Sequence, residues 1–208
     1  MKSGFVGKKE GHKLSAEAND QSIGDAHSFV AIERNTKLVL NFALGSRSQA
    51  TMDAFIEGLR AATAPQRFQI STDGFQPYIS AITTTPSDRC DFARLINVYT
   101  NDPEGQRRYS PPEVTHTDRV VVMGAPKAEQ ICTSHVERQN LSIRMGMRRL
   151  TRLTNAFSKK WENFWYAYCL WFSFCNFCRI HKTLRLTPAM EAGIAGGVWG
   201  LENLISPL

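Results

Sequence analysis

The chain is 208 residues long, enough for one domain with a substantial core, and it holds no internal repeat and no low-complexity tract. Lys and Arg number 25 against 19 Asp and Glu, a net charge of +6, which excludes an acidic solvating chain and suits an anionic partner such as nucleic acid. The opening residues lack a charged segment followed by an apolar core and a cleavage site, so no secretory signal is evident and the cytoplasm is the expected compartment.

Phe5 to Lys8 reads as the remainder of a first strand, followed by a polar loop through Gly24. His27 to Ile32 and Leu38 to Leu44 read as strands joined by Glu33-Arg34-Asn35-Thr36-Lys37, a hairpin in which Glu33 is a turn residue; Asp25 fits as the entry to the second strand. A helix is expected from about Ser48 to Ala62, with Met52, Phe55, Ile56 and Leu59 on one face. Arg67 to Thr72 alternates like a strand and is followed by a turn and a short helix over Pro77 to Ile82. Ala93 to Tyr99 is a further strand, and Thr100 to Pro112 a loop rich in Pro, Gly and charge. Arg119 to Met123 and Gln130 to Thr133 flank Gly124-Ala125-Pro126 and are expected to pair as an inserted hairpin.

From Ser134 to Arg152, Val136, Asn140, Ile143, Met147 and Leu150 recur every three or four residues, the spacing of one helix with a core-facing stripe. At about 100° per residue, Glu137, Arg144 and Arg148 fall together on the flank of that stripe. Between Arg138 and Lys160 stand seven basic residues and no acid: Arg138, Arg144, Arg148, Arg149, Arg152, Lys159 and Lys160. Such residues grip phosphates without reading sequence and make binding depend on salt. Taken alone, Glu137 is an acid near a helix N-terminus, where the macrodipole favours it. Asp73 alone is a turn or cap residue before glycine, although ligands of α/β folds gather at the carboxyl ends of strands.

Asn163 to Cys178 is a run of 16 uncharged residues rich in Phe, Trp and Tyr. It falls short of the ~20 apolar residues of a membrane span, so a buried helix packed on the sheet is expected, with no membrane partner. Apolar character on all sides also suits a subunit interface. The five cysteines, an odd number without an export signal, are expected to be reduced. Cys175 and Cys178 with His181 fall short of the four ligands of a structural zinc site.

Three motifs in order carry a resemblance: Thr72-Asp73-Gly74-Phe75-Gln76-Pro77-Tyr78, then Ser134-His135-Val136-Glu137-Arg138-Gln139-Asn140-Leu141, then Arg149-Leu150-Thr151-Arg152-Leu153-Thr154-Asn155-Ala156-Phe157-Ser158-Lys159-Lys160. Together with Asn176-Phe177-Cys178-Arg179-Ile180-His181-Lys182-Thr183-Leu184 and Thr187-Pro188-Ala189, they resemble the catalytic domain of DDE-type transposases of bacterial insertion sequences. The likeness runs from Phe5 to about Ile194. It implies an α/β, RNase H-like mixed sheet flanked by helices, with an inserted hairpin or loop and a C-terminal helical extension, over residues 1–194, and a tail over 195–208. It further implies a polynucleotidyl transferase that cuts and joins DNA strands at transposon ends and target, acting as a homo-oligomer. Three acids of such a domain bind two Mg2+ or Mn2+ ions; by motif position Asp73 is the second acid and Glu137 the third, both catalytic metal ligands, with the seven basic residues on the DNA.

Family members carry Asp-Glu-x-Trp-x-Phe-Val-Gly on their first strand, and this chain offers Met1-Lys2-Ser3-Gly4-Phe5-Val6-Gly7. Aligning Phe5-Val6-Gly7 with the end of that motif puts the family's first aspartate ahead of residue 1. The resemblance thus implies a reading frame shortened at its 5′ end. The rival expectations are a non-catalytic remnant that binds DNA or intact transposase, and an ordinary α/β domain whose basic helix is only a solvated surface.

Overall fold

Strand β2 (Gly24–Ile32) is the centre of the first sheet, and its burial follows from that position: Ala26, Ser28 and Val30 are covered on one face and Phe29 on the other, while Asp25 stays exposed. On one side β1 (Lys2–Val6) runs antiparallel to it with Phe5 opposite Asp25; on the other β3 (Val39–Gly45) runs antiparallel with Val30 opposite Phe42. The computed structural model describes residues 2–17, 20, 22–86, 88–99, 114–151 and 155–205. The expected loop from Thr100 to Pro112 lies outside them, as does Arg152.

The chain divides into two compact units, Met1–Thr51 with His135–Leu208, and Met52–Ser134. The first unit holds the β1-β2-β3 sheet. Its core joins Val6, Ala26, Val30 and Val39 of the sheet to Ile143, Met147 and Leu150 and to Phe164, Tyr168 and Phe172. Rings dominate the contact: Phe42 of β3 lies 5.9 Å from Tyr168 and 5.0 Å from Phe172 between centroids. Gly4 lets this packing close, because a Cβ there would sit 2.7 Å from Leu150 Cδ2.

The second unit holds a mixed sheet in which β4 (Phe68–Thr72) is parallel to β5 (Cys90–Tyr99), and β5 antiparallel to β6 (Val114–Met123). Helix α1 (Gln49–Ala61) buries Met52, Phe55, Ile56 and Leu59, the face its spacing predicts. Helix α2 (Pro77–Thr84) starts with Pro77 in its first turn, where a missing N–H costs nothing, and buries Ala81 and Ile82. Fold class is therefore mixed α/β, with the strands shared between two three-stranded sheets flanked by helices.

Three expectations change. Arg119–Met123 is strand, but β6 pairs with β5 (Ala93 opposite Val121), and residues Ala128–Gln130 form a 3-10 turn, so the inserted hairpin does not form. Alternation identifies a strand without naming its partner. The single helix expected over Ser134 to Arg152 is α3 (Ser134–Gly146), then an extended Met147, then a 3-10 turn over Arg148–Leu150. Gly146 is the last residue of α3 and lies against Trp171, where a Cβ would fall 1.8 Å from the indole; the chain turns extended at Met147, after that residue's N–H has made the last bond to the Ile143 carbonyl. Third, α4 (Trp161–Ser173), continued by a π-helical turn over Phe174–Cys178, is not buried all round. Phe164, Tyr168 and Phe172 face the core, while Trp165, Tyr166 and Leu170 are 44%, 63% and 52% exposed.

The C-terminal residues fold back on the first unit. The short α5 (Pro188–Glu191) is capped by Thr187, whose Oγ1 accepts from Met190 N–H at 3.2 Å. Trp199 stacks on Phe177 at 4.5 Å, ahead of α6 (Leu201–Ile205). Among the described residues no helix is long and apolar enough to cross a membrane.

Candidate functional site

Asp73 follows the last residue of β4 and is half-buried. Its Oδ1 accepts the Phe75 N–H at 3.0 Å, an Asx-type turn that reverses the chain toward α2, while Thr72 Oγ1 donates to the Asp73 carbonyl at 3.0 Å. The turn is braced from the neighbouring strand: Arg94, only 7% exposed, lies opposite Thr72 in the parallel register and donates from Nη2 to the Gly74 carbonyl at 2.6 Å. Phe75 meets Tyr78 edge to face at 5.9 Å. Burial, and then the nearby Asp73 carboxylate, push the Tyr78 hydroxyl above its ordinary range, so it remains a neutral phenol. The Asp73 carboxylate keeps lone pairs beyond the one used by Phe75, so it can serve as a hard oxygen ligand.

Glu137 lies in the first turn of α3 and is exposed. Arg138 and Arg144 of the same helix are exposed as well. Arg148 and Arg149 stand beyond the break at Met147, so Arg148 does not share the helix edge of Glu137 and Arg144 that an unbroken helix would create. Arg149 donates from Nη1 to Ser158 Oγ at 3.1 Å. Both arginines line a groove of ≈ 780 Å³ with Tyr166, Leu170 and Trp171. Lys159 and Lys160 are exposed immediately before α4, Lys160 being its N-cap residue.

Asp73 belongs to the second unit and Glu137 to the first. Among the described residues no group of three or more His, Cys, Asp or Glu side chains is placed to hold a metal ion. Burial pushes the Cys90 and Cys175 thiols up to about 11, so both stay protonated at neutral pH.

Two features escape sequence reasoning. Arg94 does carry a signal, a lone cation inside the apolar run Phe92-Ala93-Arg94-Leu95-Ile96. The second is the turn Glu33 to Lys37, read only as a hairpin, whose Lys37 Nζ lies 3.5 Å from His135 Nδ1 at the start of α3.

No family model, curated protein or solved structure matches the chain.

Proposed function

We propose that this chain is the catalytic core of a DDE-type DNA transposase with an RNase H-like fold, acting on double-stranded DNA by metal-dependent strand cleavage and transfer. The observation that carries the reading is the ordered set of motifs, in which Asp73 closes a strand ahead of a turn and helix, and Glu137 opens a helix followed by basic residues without an intervening acid. Asp73 and Glu137 would hold the divalent ions, Mg2+ or Mn2+, which when bound activate the attacking hydroxyl and stabilise charge on the leaving oxygen. Arg94 and the Asx-type turn orient the Asp73 carboxylate. Arg138, Arg144, Arg148, Arg149, Lys159 and Lys160, exposed on the first unit, hold DNA phosphates. The exposed apolar face of α4 suits the homo-oligomer in which transposases act.

A second reading is a chain that binds DNA or an intact transposase without cutting. A Mg2+-dependent nicking and strand-transfer assay on transposon-end DNA separates the readings. Activity lost in Asp73→Asn and in Glu137→Gln supports the transposase; DNA binding without activity supports the second; no DNA binding at low salt overturns both.

A further inference from the structure

Six basic side chains from three distant stretches of the chain are drawn together in the first unit. Arg34 and Lys37 come from the turn between β2 and β3, His135 and Arg138 from the first turns of α3, and Arg179 and His181 from the segment after α4. Lys37 Nζ stands 3.5 Å from His135 Nδ1, and Lys37, Arg179 and Arg138 all act electrostatically on the His181 ring. The convergence has a visible cause. The buried Asn176 side chain accepts from Val39 N–H at 3.0 Å and donates to the Val39 carbonyl at 2.9 Å, clamping the π-helical turn onto the free edge of β3. That clamp sits two residues from Lys37 and three from Arg179.

No ion pair among the described residues neutralises this gathering. The pairs there join Lys8 to Glu17, Lys13 to Glu10, Arg67 to Asp91 and His116 to Asp118, none of them a member of the cluster. The one acid of the turn, Glu33, bonds within it, accepting from Asn35 N–H at 3.0 Å, from Thr36 N–H at 2.5 Å and from Thr36 Oγ1 at 2.6 Å, and its single charge also acts on Lys37 and His135, against four cationic side chains. Lys37 also occupies a left-handed backbone conformation at φ 61°, which Asn or Gly adopts more readily. Its ammonium donates within the turn to the Arg34 carbonyl and from there reaches His135. Arg34, Lys37, Arg138 and Arg179 are the cationic members, their charges acting on the two imidazoles between them, and an anion seated there relieves their mutual repulsion. A guanidinium presents paired donors that match a phosphate, a lysine adds a point charge, and the N-terminus of a helix such as α3 favours an anion.

We propose that Arg34, Lys37, His135, Arg138, Arg179 and His181 form a phosphodiester site that holds the DNA backbone beside Glu137. The inference rests on the proposed DNA-binding role and adds to it a specific anchor, assembled from the hairpin turn and the C-terminal segment and not from the run of basic residues after Glu137 alone.

The test uses the full chain and a 20-base-pair duplex, with binding measured across a salt series. The variants are Lys37→Asn, which suits the left-handed backbone, with Arg138→Gln and Arg179→Gln, singly and together, each checked for an unchanged melting temperature. The expected result is a slope of log affinity against log salt that falls by about 1 for each phosphate no longer held, while Arg60→Gln, an exposed residue of α1, leaves it unchanged. NMR titration of the His181 ring supplies a second readout. Its neighbours Lys37, Arg138 and Arg179 are all cations, so a phosphate seated among them raises its pKa on adding duplex. A triple variant that keeps the wild-type slope, or a His181 titration that duplex does not move, overturns the site while leaving DNA binding intact. A His181 shift with inorganic phosphate but not with duplex overturns it in favour of a free-phosphate site. A wild-type chain that binds no duplex at low salt overturns the DNA reading and this site with it.

Discussion

Asn176 and Val39 exchange two hydrogen bonds, side-chain amide to backbone, across 137 residues of chain. The amide thereby stands where a fourth strand would pair, and it closes part of the free edge of β3 that could otherwise recruit another chain. Asn176→Ala leaves a buried N–H and a buried carbonyl without partners, a loss of about 2–4 kcal/mol. Denaturant unfolding measures it. Asn176→Leu, which fills much of the same space without polar atoms, is expected to cost about as much, and a loss under about 1 kcal/mol in either variant would show that these two bonds do not hold the edge.

Gly146, the last residue of α3, packs against the Trp171 indole, where a Cβ would fall 1.8 Å from the ring. Gly146→Ala is expected to lower stability by about 2–3 kcal/mol through displacement of the ring. A pair of substitutions separates this from helix ending. Trp171→Leu opens the space, so Gly146→Ala costs about 1 kcal/mol or less in that background; equal costs in both backgrounds would show that backbone conformation, not the ring, excludes alanine.

The same residues explain what was legible in the sequence. The face of α1 and the stripe Ile143, Met147 and Leu150 are local periodicities, and each is buried. The stripe continues across the break at Met147 because the 3-10 turn still directs Leu150 inward, so periodicity alone could not reveal that the helix ends. Strand pairing and the basic cluster depend on contacts between distant residues. The pairing of Arg94 with Val120 and the approach of Lys37 to His135 have no signature in one sequence. For the candidate site, Asp73 at a strand end and Glu137 at a helix start were legible from local pattern, whereas the Arg94 brace was not.

His27 and His181 both titrate below the ordinary histidine value of 6.5, burial being the first cause in each, joined by Arg47 for His27 and by Lys37 for His181. Each binds its proton less readily folded than unfolded, so the unfolded chain takes up more protons as pH falls. Their contribution is fully present above about 6.5 and is lost as pH falls through the lowered folded values. Melting temperature in a phosphate-free buffer should thus decline from pH 7 toward pH 5. In the double variant His27→Gln with His181→Gln that decline should flatten, and an undiminished slope would assign it to other groups.

Arg94 offers the sharpest separation of local order from global stability. Its Nη2 bonds the Gly74 carbonyl at 2.6 Å, yet its Nε is buried without a hydrogen-bond partner in the described residues. Replacing it by Met removes a charge-assisted bond of about 1.5–3 kcal/mol but also relieves an unsatisfied buried donor of about 1–3 kcal/mol. The two nearly cancel, so Arg94→Met is expected to change unfolding free energy by no more than about 1 kcal/mol. The turn loses its brace all the same. Gly74 is exposed and its carbonyl turns to water, while the Phe75 N–H that holds Asp73 Oδ1 opens more often. Hydrogen exchange at Phe75 should accelerate several-fold with exchange in β5 unchanged. Uniform acceleration through β4 and β5 would instead mean that Arg94 supports the sheet and does not specifically hold the Asp73 turn.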